Sequence, residues 1–498
     1  MFLIERSKLL PAFAGLSLFA AVFGSAAKAQ EAALSTQAGR AGAPMDATQT
    51  QIAVMKDEIA ALTAQVAELK AAISGGLKDV RAAQTAQPQV SVANGRPTFA
   101  SPDGKTSVAI RGVIQFDAAS YSVSPLTTAN DLGSGTNLRR ARLGVDGRVF
   151  GDWSYGILGE FGGTGGEVAG LNQAYLEYGG WKPFGPKTTV RLRIGAWATP
   201  AGLEDATSNT EGLFLERPAV AELVRNFAGG DGRTGVGAFA NGDHWYGSLV
   251  WTGKVVGVPT TPEFDQQSGY LARLAFNPWH GPDYDVHLGV NLQGVTRPAD
   301  TAPGAAVAHA LRLRERPEIR VDGGRLVDTG ALASDGLTVM GAELGVSRNN
   351  LLLVGEAFKI DLDRPGTSNA FKGWYAAGAW TLTGERHLWN GANGGFRGIR
   401  PTKVFDPTRQ TWGAFEVAGR YSVLNLDDRR GLAGTATPIG GVRGGEQVIT
   451  TLGLNWYPNA VVRILVDQQW INVDRLNGAG AQSGEDVRVT SLRAQAAF

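Results

Sequence analysis

The chain has 498 residues, 43% of them hydrophobic and 19% charged, and 47 basic against 46 acidic side chains leave a formal net charge of +1. So balanced a chain has no electrostatic reason to bind nucleic acid. With no cysteine, and with five histidines (His244, His280, His287, His309 and His387) in no ligand spacing, it offers no metal cluster and calls for no cofactor.

At the N-terminus, Arg6 and Lys8 precede an apolar stretch from Leu9 to Ala27, and Ala27-Lys28-Ala29 has the small-x-small form of a cleavage site before Gln30. Residues 1–29 therefore read as a signal peptide. Pro11 and several glycines argue against an anchoring helix there, and no later segment reaches the ~18–20 apolar residues that a spanning helix needs. Residues 30–81 combine a polar, disordered segment with a helix over about 52–74. In it Ile52, Met55, Ile59, Leu62, Val66, Leu69 and Ile73 fall at alternating three- and four-residue steps, an a/d heptad seam that Gly75-Gly76 is expected to end. Three heptads are too few to be stable alone in water, so a self-associating coiled coil is expected, with a single amphipathic helix lying on another surface as the other reading. Residues 82–105, with Gln, Pro and Ser, read as a linker.

From 106 to 498 the pattern becomes that of strands. Segments of about ten residues alternate apolar with polar or small: Ala141, Leu143 and Val145 against Arg140, Arg142 and Asp146; Val286, Leu288 and Val290 against Asp285, His287 and Asn291; Val462, Ile464 and Val466 against Arg463 and Asp467. Charged residues recur on one face over a stretch too long for one soluble sandwich, and the links are uneven, short at one end and long at the other. Residues 385–410 break that rule, being long where a short turn is due. Trp181, Trp197, Trp245, Trp251, Trp374, Trp380, Trp456, Trp470, Tyr178, Tyr421 and Tyr457 sit at or near strand ends, as the aromatic girdles of a membrane barrel do. Phe498 ends a strand face with Leu492, Ala494 and Ala496, and so resembles the C-terminal signal of outer-membrane barrels. The reading is all-β: a transmembrane antiparallel β-barrel of about 16 strands, in contact with outer-membrane lipid, with a short N-terminal periplasmic coiled-coil helix.

No Gly-x-Ser-x-Gly elbow and no phosphate-binding Gly-Lys-Ser/Thr loop occurs, which leaves a hydrolase built in the barrel as a rival without a local signature. The arginines are more informative. Arg312, Arg314, Arg316 and Arg320 recur at even steps, so an extended segment aims all four to one side. Such a row serves a channel, because guanidinium groups bind anionic oxygens and stay charged at any working pH. It is also compatible with a solvated loop face neutralised by Glu315, Glu318 and Asp322. A charge on the lipid face costs ~2–4 kcal/mol at the bilayer midplane. The even spacing of Arg140, Arg142, Arg191 and Arg193 opposite Val and Leu therefore places them in the lumen, where basic rings favour anions.

NLRRARLGVDGRVFGDWSYGILGEF (137–161), TPAGLEDATSNTEGLFLERP (199–218), LRLRERPEIRVDGGRLVDTG (311–330), FKGWYAAGAWTLTGE (371–385), WGAFEVAGRYSVLNLDD (412–428) and TLGLNWYPNAVVRILVDQQW (451–470) resemble, in order, the phosphate- and polyphosphate-selective outer-membrane porins of the O and P type. The resemblance implies a sixteen-stranded homotrimeric barrel whose arginine ladder leads to a constriction made by an infolded third loop. Carried over by motif, the ladder is Arg312, Arg314, Arg316, Arg320, Arg139 and Arg140, with Arg217 near the constriction and Lys403 as a further candidate. The family's high-affinity phosphate site depends on lysines, whereas this chain has Glu204 and Asp205 in the third loop and no lysine between Lys187 and Lys254. The expectation is passive diffusion of small inorganic anions (phosphate, polyphosphate or chloride), with a general-diffusion or sugar porin as the alternative.

Overall fold

The computed structural model describes residues 44–85, 87–125, 131–163, 170–257, 265–301 and 304–498. The signal-peptide reading lies outside them. Contacts divide the chain into two units, residues 1–86 and 87–498, each described by itself.

The first unit is helix α1, Pro44–Thr85. It starts on a proline, whose missing N–H is no loss at a helix start. It begins inside the stretch expected to be disordered, and it runs on through Gly75-Gly76 where an end was expected. Two glycines cost only ~1 kcal/mol each in a helix interior, and Leu77, Lys78 and Asp79 resume a helical sequence before any proline intervenes. The seven seam residues from Ile52 to Ile73 are 47–62% exposed, an apolar face without a partner among the described residues of its unit.

The second unit is a closed antiparallel barrel of sixteen strands. They are β1 (Ser107–Ser124), β2 (Gly135–Val149), β3 (Trp153–Glu160), β4 (Gly170–Tyr178), β5 (Thr189–Trp197), β6 (Arg233–Asn241), β7 (Trp245–Val255) and β8 (Ser268–His280). The second half is β9 (Tyr284–Arg297), β10 (Gly336–Arg348), β11 (Leu351–Arg364), β12 (Thr367–Thr381), β13 (Ala414–Asp428), β14 (Val442–Tyr457), β15 (Val462–Asp474) and β16 (Asp486–Ala497). Each pairs with its sequence neighbour, and β16 closes on β1 from Asp486↔Ser124 to Ala497↔Val113. The Phe498 ring lies so close to Gly112 that a Cβ there would stand 2.5 Å from Cζ, so the close approach needs glycine. Residues 89–100, read as linker, form a hairpin turned at Asn94-Gly95, both with positive φ, whose second strand extends the sheet beside β1.

Alternation sorts the faces. On β14 and β15, Leu452, Leu454, Val466 and Trp470 are exposed outward, whereas Thr451, Asn455, Asp467 and Gln469 are buried inward. Trp181, Trp251, Trp374, Trp380 and Tyr421 are exposed, as a girdle requires, but two of the expected girdle aromatics are not in it. Trp197 points inward to pack on Phe239 and Tyr246, and buried Tyr457 donates its hydroxyl to Glu416. Turns at 150–152, 242–244, 281–283 and 349–350 mark one end of the barrel. The exceptional link there, 382–413, folds inward, burying Phe396 and Ile399.

A sixteen-strand barrel is wide enough for an aqueous channel, but here two long links on the opposite end fill much of it. Residues 198–232 carry α2 (Leu203–Ala206) and α3 (Ala219–Ala228). Residues 298–335 carry a hairpin, Ala310–Glu315 with Val327–Ala333. In α3, Val220, Leu223, Val224 and Phe227 make one apolar stripe. It belongs to a core shared with Leu313, Ile319 and Val327 of the other link and with wall residues such as Ile360, Phe371 and Ile449. The apolar core therefore lies inside the barrel, between infolded loops and wall.

Candidate functional site

Three carboxylates hold the first infolded link by its backbone N–H groups. Glu356 on β11 accepts from Leu203 (2.7 Å) and Glu204 (2.9 Å), Asp467 on β15 accepts from Leu215 (2.8 Å), and Glu318 accepts from Ala219 at the start of α3 (2.8 Å). These bonds supply acceptors for donors that a loop buried in a lumen would otherwise leave unpaired.

What the links leave open is two large cavities. The one on the long-loop side, about 820 Å³, is lined by Arg139, Arg140 and Arg142 of β2, Arg225 of α3, and Arg312, Arg314, Arg316, Arg320 and Arg325 of the second link. Facing these nine arginines are four carboxylates, Glu160, Glu222, Asp231 and Glu315. The turn-side cavity, about 810 Å³, is lined by Arg96, Arg111, Arg400 and Arg463 with Asp146 and Glu211, among neutral groups. Arg142 borders both, and no lysine of the described residues lines either. Between them lie two crevices of about 10 Å³ each, room for about one water. One shares Arg316 and Arg320 with the upper cavity; the other shares Ser208 and Asn209 with the lower. Glu216 and Arg217 border both crevices, which are the narrow stretch along the first link.

The candidate arginines reach these places by different means. Arg139 and Arg140 are adjacent yet both buried inside, because the β1–β2 register slips between Gln115 and Phe116 and gives β2 one extra residue. Arg139 donates to Glu216 at 2.9 Å and Arg140 to Gln115 at 2.5 Å. Arg142 is paired with Glu160 and, at 2.7 Å, with Asp231. The strand carrying Arg312 and Arg314 ends at Glu315, with a register slip between the two arginines, and Pro317 follows. A single even phase therefore does not persist: Glu315 and Arg316 are neighbours and both buried. All four of Arg312, Arg314, Arg316 and Arg320 still border one cavity.

Arg312 is paired with Asp328, and Arg320 with Glu222 at 2.7 Å. Arg314 is exposed, and among the described residues no carboxylate lies within ion-pairing distance of it. Arg217 is tucked under the first link, 3.4 Å from Asp205 and 3.7 Å from Glu222. Arg191 and Arg193 face inward on β5 but border neither large cavity. Arg193 pairs with Glu177 (2.7 Å) and lies over Tyr175, and Arg191 donates to the Ala392 carbonyl (3.0 Å). Lys403 is exposed on the 382–413 link and borders neither cavity.

Residues outside the candidate set brace the narrow stretch from the wall. Arg493 of β16 holds Asp117 through two bonds of 2.7 Å and reaches Glu216 at 2.7 Å. Arg420 of β13 lies over the Phe214 ring, pairs with Glu318, and donates to the Glu216 carbonyl at 2.9 Å. Both alternate with apolar neighbours, the same signal that singled out Arg191 and Arg193. Burial alone would raise the Glu222 carboxyl, but Arg320, Arg225 and Arg217 hold it at about 2. Against the same burial, Arg139, Arg140, Arg493 and Arg320 hold Glu216 well below the carboxylate range. The lumen is thus a set of charged, hydrogen-bonding walls around water-sized and wider spaces, suited to passing small ions.

The family model described as phosphate-selective porin O and P matches residues 108–498. Porin O of Pseudomonas aeruginosa is 26% identical over 414 residues, covering 79% of this chain and 89% of its own. A Caulobacter vibrioides protein is 26% identical over 380 residues, 73% of this chain and 68% of its own. Among solved structures, an anion-selective porin from Comamonas acidovorans aligns with a TM-score of 0.45 at 14% identity, over 79% of this chain and all of that one (100%). The family is one of channels, which removes the barrel-embedded hydrolase from consideration. The chain is an outer-membrane porin and belongs to the phosphate-selective porin O and P family.

Proposed function

We propose that this porin passes small inorganic anions by passive diffusion, favouring anions over cations broadly and phosphate over chloride only modestly. The observation that carries the reading is the upper cavity, where nine arginines face four carboxylates and stay in excess even when Asp205, Glu216 and Asp328, which pair lining arginines from behind, are counted. A net positive wall raises the local anion concentration and lowers that of cations. Arg312, Arg314, Arg316, Arg320, Arg139 and Arg140 are the anion path, with Arg142 where the two cavities meet and Arg217 at the narrow stretch. Arg191 and Arg193 add to the lumenal potential from further off.

Strict phosphate selection needs oriented, unneutralised donors at the narrowest point. There the arginines are already engaged by Glu216, Glu222 and Asp205, and Lys403 stands elsewhere. This supports a broad anion filter in place of a phosphate trap. In the same reading residues 1–29 are a cleaved export signal, the chain is a homotrimer, and the exposed seam of α1 joins copies of the chain in the periplasm. The deciding experiment is the purified protein in a planar bilayer under a KCl gradient. A reversal potential near the chloride equilibrium value is expected; one near zero would establish a general-diffusion pore, and block of the wild-type current by micromolar phosphate would refute the modest preference.

A further inference from the structure

We propose that Glu216 is a tethered anion. Its carboxylate fills the seat on which arginines of the wall and of the second link converge, so that a permeating anion exchanges with it and is not trapped. The inference rests on the anion-pore reading above and adds the residue that sets how tightly an anion is held.

Four guanidinium groups from three separate parts of the barrel meet this one side chain. Its Oε1 accepts from Arg493 at 2.7 Å and from Arg139 at 2.9 Å. Its Oε2 is held more loosely, 3.4 Å from Arg139, 3.7 Å from Arg140 and 3.8 Å from Arg320. For Arg140, Glu216 is the one carboxylate within ion-pairing distance among the described residues, and the Arg140 Nε has no hydrogen-bond partner there. The two oxygens therefore differ in role. Oε1 is anchored by two short bonds, from Arg493, which borders no large cavity, and from Arg139, whereas Oε2 has only longer contacts, with Arg140 and Arg320 of the upper cavity among them. An oxyanion arriving along Arg316 and Arg320 meets guanidiniums whose charge is already matched, and its own oxygen replaces only the loosely held one.

The backbone of the loop has anchors besides this carboxylate. The Glu216 carbonyl is held by Arg420, the Leu215 N–H by Asp467 and the Leu215 carbonyl by Arg493. Truncating the side chain therefore leaves the backbone anchored and empties a seat of carboxylate size among four cations.

The test compares full-length wild type, Glu216→Gln and Glu216→Ala in planar bilayers, with heat-modifiable gel migration as the check that each barrel is folded. In Glu216→Gln, inorganic phosphate is expected to block the chloride current at a concentration at least tenfold lower than in wild type. In Glu216→Ala, millimolar acetate should refill the seat and return the phosphate block towards the wild-type concentration, while neutral acetamide does nothing. Phosphate block within twofold of wild type in a folded Glu216→Gln pore overturns the proposal, as does a Glu216→Ala pore in which acetate and acetamide act alike. If Glu216→Ala does not fold, Glu216→Gln decides alone. The underlying reading fails separately, on wild type alone, if that pore does not discriminate between chloride and potassium.

Discussion

If the upper cavity selects by net charge, deleting one unpaired arginine must matter more than deleting a whole ion pair. Arg314 is exposed and carries a charge unmatched among the described residues, whereas Arg312 is matched by Asp328, whose Oδ1 accepts from its Nε at 2.8 Å. A cavity of about 820 Å³ is small enough that an ion near its middle stays close to every lining guanidinium. At a separation of about 8 Å in water, one unit charge contributes roughly 0.5 kcal/mol. It attracts the anion and repels the cation by that amount, so losing it lowers the anion-to-cation permeability ratio by about fivefold before screening. With a Debye length of ~30 Å at 0.01 M and ~3 Å at 1 M, the loss should be about fourfold at the lower salt and close to nil at the higher. Arg314→Ala is therefore expected to cut the ratio about fourfold in dilute KCl, read from reversal potentials. The double change Arg312→Ala with Asp328→Asn leaves net charge untouched and should leave the ratio within about 1.5-fold. If the double variant loses as much selectivity as Arg314→Ala, the arginines act as individual rungs, and the net-charge reasoning is wrong.

Three further outcomes are expected. Glu356→Ala leaves the Leu203 and Glu204 N–H groups without their acceptor, at a cost of roughly 1–3 kcal/mol per buried group; the barrel should still fold, but single-channel records should show added open-state noise, and a quiet record would refute this anchoring role. The Glu222 carboxyl is held at about 2 against an ordinary 4.5. A depressed carboxyl stabilises the fold fully above its unfolded value and loses that contribution as pH falls through its folded value. The near-ultraviolet circular dichroism of the infolded link should accordingly hold down to about pH 4.5 and fade towards pH 2, with the fading reduced in Glu222→Gln. Deleting residues 44–85 should weaken chemical cross-linking into oligomers while conductance persists; unchanged cross-linking would show that the α1 seam joins nothing.

The barrel was legible because lipid outside and polar lumen inside impose a period of two on every strand, a signal that survives in Val466 against Asp467 as plainly as in Leu143 against Arg142. Other features depend on local chemistry finer than this period. Gly75-Gly76 resembles a stop although nothing after it opposes a helix, and Asn94-Gly95, a strong two-residue hairpin signal, lies in a stretch with the composition of a linker. Trp197 and Tyr457 sit at strand ends like girdle residues, but the phase of their strands turns them inward. Arg493 and Arg420 were within reach of the same alternation rule. The neighbouring placement of Arg139 and Arg140 was not, because a bulge depends on pairing with β1 and not on the sequence of β2 alone. Least legible was Glu216, whose partners lie 77 and 277 residues away in the chain.

Folding and selectivity make opposite demands on these arginines. A guanidinium enclosed between loop and wall is destabilising unless a carboxylate and further acceptors meet it, since the desolvation of a buried ion exceeds what an imperfect pair returns. The link that narrows the pore must therefore bring acids with it: Glu216 for Arg139 and Arg493, Glu222 for Arg320, Asp205 for Arg217 and Arg225. Each acid that lets the loop fold also cancels a charge that could have selected an anion. The conflict is least where the space is widest, because water there solvates a lone guanidinium at little cost. Arg314, exposed and unmatched among the described residues, stands in the wide cavity, whereas Arg217 and Arg320 beside the crevices are both matched. In the function proposed above, selection by net charge therefore falls to the wide cavity, and the narrow stretch, nearly neutral pair by pair, is left to set the rate of exchange.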